Sequence, residues 1–251
     1  MLAIEVVTLI GEPVEAYLRT GVVGRAVARG VVRVGIEDPR RYTHDVHRSV
    51  DDRPYGGGPG MLLAVEPLAS AIGAARARLP AGSPRILLSA QGRPFRQTEA
   101  QRLAALPGFV LIAGRYEGVD ERLIEECVDE ELSIGDYVLS GGELAALVVI
   151  DAVIRLLPGV LNDPESALEE SFAAGLLDWP QYTRPEEWRG RRVPEVLTRG
   201  DHAAIRRWRR KQALGRTWER RPDLIEQRAL TEEDKRLLAE YRSERGPGSD
   251  R

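Results

Sequence analysis

Ser133-Ile134-Gly135-Asp136-Tyr137-Val138-Leu139-Ser140-Gly141-Gly142-Glu143-Leu144 is the stretch around which the chain is organised. Two adjacent glycines separate an apolar-aromatic run from a long apolar segment, Ala145 to Leu157. Leu144, Leu147 and Val148, then Ile150, Ile154 and Leu157 around Asp151, fit a helix with a wide buried face. Glycine opens backbone dihedrals closed to other residues and lets a ligand approach the main chain. A Gly-rich turn at a helix start also exposes backbone N–H groups. A plain tight turn explains the pair equally well, so the companion stretches decide.

Working back along the chain, strand and helix signals alternate. Met1–Leu9 reads as a strand, and Val14–Ala28 as mainly helical with breaks near Gly21 and Gly24. Val31–Ile36 reads as a second strand, and the stretch after Pro67 to Leu79 as a helix. Arg85–Ser89 is a strand ending in Ala90-Gln91-Gly92-Arg93-Pro94, Gln97–Leu106 a helix, and Phe109–Ala113 a strand ending in Gly114-Arg115-Tyr116-Glu117-Gly118. Strand–helix–strand recurrence predicts an α/β sheet with mostly parallel strands. Ligands bind such sheets outside the carboxyl ends of the strands. Ser89–Gly92, Gly114–Gly118 and Ser140–Gly142 all fall at such ends, which is the case for one shared pocket.

Tyr42–Met61 is polar, Gly-dense and aperiodic, the character of a functional surface loop. Gly56-Gly57-Gly58-Pro59-Gly60 is neither a Walker A loop, lacking Gly-Lys-Ser/Thr, nor a Rossmann fingerprint. His44 and His47 near Asp45 and Asp51 lack a third ligand at a recognised spacing, so no metal site is expected. Glu117 to Asp136 is markedly acidic: Glu125 and Glu126 read as a solvated helix face, while Glu117 or Asp129 could wall a pocket for a cationic ligand.

The chain has 251 residues, 43% of them hydrophobic, enough for one large domain or two unequal ones. Its single cysteine, Cys127, excludes an intrachain disulfide framework and a Cys-based zinc cluster. No basic region followed by an apolar run opens the chain, and no segment approaches a membrane span, so a cytoplasmic protein without a membrane partner is expected.

The net charge of −3 hides an uneven distribution. Thr183–Pro222 holds 13 basic and five acidic residues, a local charge of +8, with Trp188, Trp208 and Trp218 interleaved. Arginines with aromatics can hold phosphates and stack bases; helix salt bridges on an Arg-rich surface would use the same residues. His202–Leu214 reads as a helix capped by Asp201, and Thr231–Tyr241 as a second with Thr231 and Asp234 in capping-box positions. Gly246–Arg251 reads as a frayed tail.

The chain closely resembles the bacterial tRNA (guanine-N1)-methyltransferases, a branch of the knotted SPOUT methyltransferases. The matching stretches are Thr43–Asp45, Val50–Met61, Gly114–Arg122, Ser133–Leu144 and Gly175–Asp178. In the second half they continue with Tyr182–Pro185, Gly200–His202 and Leu214–Thr217. The resemblance covers nearly the whole chain. It implies an α/β fold whose parallel sheet carries a deep trefoil knot over roughly Ile86–Leu144, with a smaller, mainly helical C-terminal domain. The implied domains are a methyltransferase domain over residues 1–160, a linker over 161–172 and a basic tRNA-binding domain over 173–251.

The resemblance further implies a homodimer that binds S-adenosylmethionine through Leu88, Ser89, Ala90 and Gln91, through Gly114, Arg115 and Glu117, and through Ile134, Tyr137, Leu139, Gly141 and Gly142. The implied substrate is tRNA carrying guanosine at position 37, just 3′ of the anticodon, with no DNA partner. The second domain of one subunit would hold the tRNA over the other's pocket. The implied catalytic residues are Glu170, as base toward N1, and Arg155; family members are helped by Mg²⁺, for which no protein site is implied.

Some positions depart from the family pattern. Ile10-Gly11-Glu12 stands where Phe-Pro-Glu is usual, and Ala90 and Ala145 replace prolines. Glu170 precedes Ser171-Phe172 where the family has Asp, so the carboxylate is kept on a longer arm. Glu169, Asp163 and Glu165 are the competing carboxylates. A catalytically weak or inactive tRNA-binding protein of the same fold is the alternative that this change keeps open.

Overall fold

The computed structural model describes residues 1–161, 170–173 and 175–245. The chain divides into two compact units, Met1–Asn162 and Asp163–Arg251.

The first unit is built on a five-stranded sheet of order β2-β1-β6-β5-β7. Its strands are β1 (Leu2–Val7), β2 (Val32–Glu37), β5 (Arg85–Pro94), β6 (Gly108–Ala113) and β7 (Glu130–Ser133). Each neighbouring pair is parallel, with Leu2 opposite Val32 and Ile86 opposite Leu111. A short antiparallel ribbon joins β3 (Asp51–Asp52) to β4 (Leu62–Leu63).

Both faces of the sheet are covered, so its central strand β6 is apolar throughout rather than alternating, while β1 carries one buried charge, Glu5, held by Arg33 and Arg78. On β6, Phe109 and Leu111 face a core shared with α2 (Gly21–Ala28), α4 (Gln97–Ala104) and α6 (Glu143–Ile154). Val110 and Ile112 face the opposite core, shared with α3 (Val65–Ala77) and α5 (Glu121–Cys127). α1 (Glu12–Tyr17) is tied to α6 where the Tyr17 hydroxyl donates to Asp151 at 2.8 Å, a bond that raises the tyrosine's pKa.

Several expected elements shift. Gly24 does not break α2, and α3 begins two residues before Pro67, which an initial helical turn tolerates. β7 gave no strand signal in the acidic stretch. β5 is longer than expected: Leu88 and Arg93 both lie opposite Leu132, so residues 89–92 leave the ladder as an excursion. The buried face of α6 is also displaced. Ala145, Ala146, Val149, Ile150, Val153 and Ile154 are buried, whereas Leu144 and Val148 are exposed.

In the second unit, a hairpin pairs β8 (Glu187–Trp188) with β9 (Arg191–Arg192). Three helices follow: α7 (His202–Arg220), α8 (Pro222–Glu226) and α9 (Glu232–Arg245). Leu176, Ala213, Leu214 and Leu237 form its core. The Asp201 carboxylate accepts from the N–H groups of Ala203 and Ala204, the expected cap. α7 runs past the expected end, and Gly215 within it lies against the Tyr241 ring of α9. The expected capping box is formed: Thr231 Oγ1 accepts from the Asp234 N–H and the Asp234 carboxylate from the Thr231 N–H. The expected tail, Gly246–Arg251, lies outside the described residues.

Candidate functional site

Parallel strands bring β1, β5, β6 and β7 to one edge of the sheet, and the loops leaving them meet there. β5 contributes Leu88, buried, then Ser89, Ala90 and Gln91 on the excursion, where the Gln91 N–H donates to Ser89 Oγ at 3.1 Å. β6 contributes Gly114, Arg115 and Glu117. β7 leads into Ile134 and the loop to Gly142.

The paired glycines close this edge, but differently from the simplest expectation. The Gly142 N–H is not open to a ligand; it donates to the Gly114 carbonyl at 2.8 Å. Gly142 has ordinary helical dihedrals, φ −77° and ψ −3°, so left-handed geometry is not what selects it. Space is: a Cβ there would stand 2.7 Å from Ala113 Cα. A Cβ on Gly141 would stand 2.8 Å from Arg115 Nε. By contrast, Gly56, Gly57 and Gly58 do carry positive φ, at 85°, 76° and 123°. Their loop is stitched to the β6 exit, where the Glu117 N–H donates to the Met61 carbonyl at 3.0 Å and the Leu63 N–H to the Gly118 carbonyl at 3.0 Å.

Sequence reading gave no role to Glu143 or Thr8. Glu143, buried at the start of α6, accepts at Oε1 from the Thr8 hydroxyl at 2.7 Å and from Arg115 Nε at 3.0 Å. A charged residue opening a largely apolar helix was the available signal. Large apolar side chains nevertheless stand out in solvent on these loops: Tyr116 is 49% exposed, Tyr137 54% and Leu139 37%. Such grouped exposure marks binding surfaces.

Asp129 is not part of this site; it lines a separate cleft with Arg76 and Arg85. It lies at the amino end of β5, where Arg85 grips it through Nε–Oδ2 at 2.9 Å and Nη2–Oδ1 at 2.8 Å. That pairing holds its carboxyl below the usual range. Cys127 is partly buried, and burial pushes its thiol up. Among the described residues no group of three His, Cys, Asp or Glu could hold a metal ion.

Arg155 caps the C-terminus of α6 in the first unit, half-buried, its N–H donating to the Asp151 carbonyl at 3.2 Å. Glu170 belongs to the second unit, where the Ala173 N–H donates to its carbonyl at 3.2 Å. Next to it Phe172 holds φ 72°, a strained value for a non-glycine residue. The turn is fixed by the Phe172 N–H to the Leu176 carbonyl at 2.7 Å and by the Asp178 N–H to Ser171 Oγ at 2.9 Å. Glu169, Asp163 and Glu165 lie outside the described residues.

In the Arg-rich segment the salt-bridge reading holds for some residues and not for others. Arg207 pairs with Glu240, Arg210 with Asp234 and Lys211 with Glu244, drawing basic side chains of α7 onto acids of α9. Arg191, Arg206 and Arg220 are exposed and make no ion pair among the described residues. Arg189 stacks on Trp188 at 4.7 Å and Arg209 on Trp179 at 4.8 Å. No described helix is long and apolar enough to cross a membrane.

The family described as tRNA (Guanine-1)-methyltransferase TrmD matches residues 2–227. A tRNA (guanine-N(1)-)-methyltransferase of Methylococcus capsulatus is 59% identical over 240 residues, 96% of this chain and 96% of that protein. The protein of that name from Chromobacterium violaceum is 57% identical over 245 residues, 96% of each chain. The one from Aromatoleum aromaticum is 55% identical over 244 residues, 96% of this chain and 93% of its own. Matches of this depth take in both compact units, and the chain belongs to the tRNA (Guanine-1)-methyltransferase TrmD family.

Proposed function

We propose that the chain transfers a methyl group from S-adenosylmethionine to N1 of the guanosine at position 37 of tRNA, next to the anticodon. The observation that carries this reading is the family match running unbroken through residues 2–227, from the strand-end loops to the Arg-rich unit. The enzyme is a cytoplasmic homodimer, its domains spanning residues 1–160 and 173–251 about a linker at 161–172. The exposed Leu144 and Val148 on α6 support burial against a second copy. The segment from Ile86 to Leu144 is threaded as a deep trefoil knot. The hydrogen bond from Gly142 to Gly114 within that segment favours this reading. The basic, mainly helical second domain holds the tRNA over the partner's pocket.

The residues fit the cofactor. Exposed Tyr137 and Leu139 suit a planar, weakly polar adenine, the main chain at Ser89–Gln91, Gly114 and Ile134 suits its polar edge, and Gly141–Gly142 carry no side chain to hold it off. Arg115 and Glu117 add charged groups for the amino-acid portion. When bound, S-adenosylmethionine supplies an electrophilic methyl group. Mg²⁺ assists through the RNA or through the charged site.

Guanine N1 carries a proton and is a poor nucleophile until it is lost. Glu170 takes that proton as general base. Arg155 holds the negative charge that builds at O6 as the proton leaves.

The test is incubation of labelled S-adenosylmethionine with matched tRNA transcripts carrying G37 or A37. Label should enter the G37 transcript alone, as N1-methylguanosine on nucleoside analysis. Equal labelling of both transcripts, or none of either, would overturn the proposal.

A further inference from the structure

We propose that Glu143 is a positioning residue that sets Arg115 for the cofactor; this rests on the assignment of Arg115 to the cofactor cradle. The carboxylate is 4% exposed and gathers three elements at the ligand edge of the sheet. It opens α6, and at Oε1 it accepts from Thr8, just past β1, and from Arg115, just past β6. Thr8 is itself 2% exposed; its Oγ1 accepts from the Ile10 N–H at 3.1 Å, and its hydroxyl lies closer to Glu143, at 2.7 Å, than to the Ile10 carbonyl, at 3.4 Å.

Burying a carboxylate is unfavourable unless it is paired and hydrogen-bonded. Both partners are present here, and the cation is engaged through Nε alone. Among the described residues Nη1 and Nη2 of Arg115 have no hydrogen-bond partner, and its side chain is 25% exposed. Glu143 thus fixes the arm of the arginine and leaves its forked end for another group. The glycine at position 141 completes the device. Its missing Cβ leaves room for the Arg115 guanidinium, the Nε of which lies 2.8 Å from where that Cβ would stand. A group of this kind acts by lowering the orientational freedom that binding would otherwise have to remove.

The arrangement separates Glu143 from an ordinary core charge. A structural carboxylate would affect stability irrespective of Arg115; a positioning residue acts through it. The test is a double-mutant cycle on the full-length protein, read by calorimetry with S-adenosylhomocysteine and by thermal unfolding. Glu143→Gln keeps an oxygen for Thr8 and Arg115 but loses the charge, and should weaken binding about tenfold. Arg115→Ala should weaken it at least as much. Combined with Arg115→Ala, Glu143→Gln should add less than twofold. Steady-state KM for S-adenosylmethionine should rise with the calorimetric loss while kcat stays within about twofold. Thr8→Val, which removes the hydroxyl at similar volume, should weaken binding about threefold, and Thr8→Ser should restore it. The threonine pair carries the test should Glu143→Gln not fold. Multiplicative losses in the double variant, or unchanged affinity in Glu143→Gln or Thr8→Val, would overturn the inference. Unchanged affinity in Arg115→Ala would overturn it together with the placement of Arg115 in the cradle.

Discussion

The Gly142 N–H donates to the Gly114 carbonyl at 2.8 Å, so the start of α6 is bonded to the exit of β6. The two loops of the candidate site are therefore one hydrogen-bonded unit. Closeness of the two backbones is what demands glycine.

That relationship separates the two glycines experimentally. In Gly142→Ala the new methyl meets the backbone of Ala113, which cannot yield without moving β6. The expected cost is about 1–3 kcal/mol, the range for overpacking, seen as a lower melting temperature. In Gly141→Ala the methyl meets side chains instead, the Glu143 carboxylate and the Arg115 guanidinium, and pushes that ion pair out of place. Melting should fall less than in Gly142→Ala, while affinity for S-adenosylhomocysteine falls about tenfold. Calorimetry and thermal unfolding of both variants check the contrast; equal melting losses would contradict it.

The second unit should grip tRNA through the arginines that α9 does not claim. Replacing Arg191, Arg206 and Arg220 by Ala should reduce the slope of log K against log salt by about 2–3, roughly one for each phosphate that is no longer neutralised. Arg207→Ala, whose side chain is already paired with Glu240, should change the slope by less than the share of a single phosphate. Filter binding over a salt series measures both. Equal slopes for the parent and the triple variant would show that these arginines do not face the RNA.

The Arg210–Asp234 pair makes the second unit acid-sensitive. Two hydrogen bonds, at 2.8 and 2.9 Å, hold the Asp234 carboxyl below its ordinary range. A depressed carboxyl adds stability that is present above its unfolded pKa and lost as the pH falls through its folded one. Melting should therefore fall steadily below about pH 4, the ordinary Asp value. Asp234→Asn should be less stable at neutral pH by about 1.5–3 kcal/mol, the scale of hydrogen bonds to charged groups, and should lose part of the acid dependence. A parent and variant with parallel melting curves from pH 7 to 3 would contradict this.

Much of this was legible in the sequence for physical reasons. β6 is apolar on both faces, and Phe109–Ala113 says so directly. The Asp201 cap and the Thr231–Asp234 box are local, so a window of a few residues contains them. β7 was not legible, because Glu130 and Glu131 look solvated until Arg93 and Arg102 are seen holding Glu130. Nor was the face of α6: Leu144 and Val148 are as apolar as the residues that are buried, and only the sheet decides which side turns inward. At the site, the paired glycines were visible but their reason was not, since Ala113 lies distant in sequence from Gly142. Glu143 escaped notice because its partners, Thr8 and Arg115, are separated from it by 135 and 28 residues.

The central claim is that Glu170 removes the N1 proton, and single-turnover methyl transfer with saturating tRNA and S-adenosylmethionine tests it most directly. A positioned general base contributes about 10²–10⁴ in rate. Glu170→Gln should therefore slow transfer at least about a hundredfold while binding tRNA and S-adenosylhomocysteine as the parent does. Glu170→Asp, which restores the shorter arm, should keep or raise the parent's rate. Transfer by Glu170→Gln as fast as the parent's, with Glu169→Gln slow instead, would contradict the assignment and move the base to Glu169.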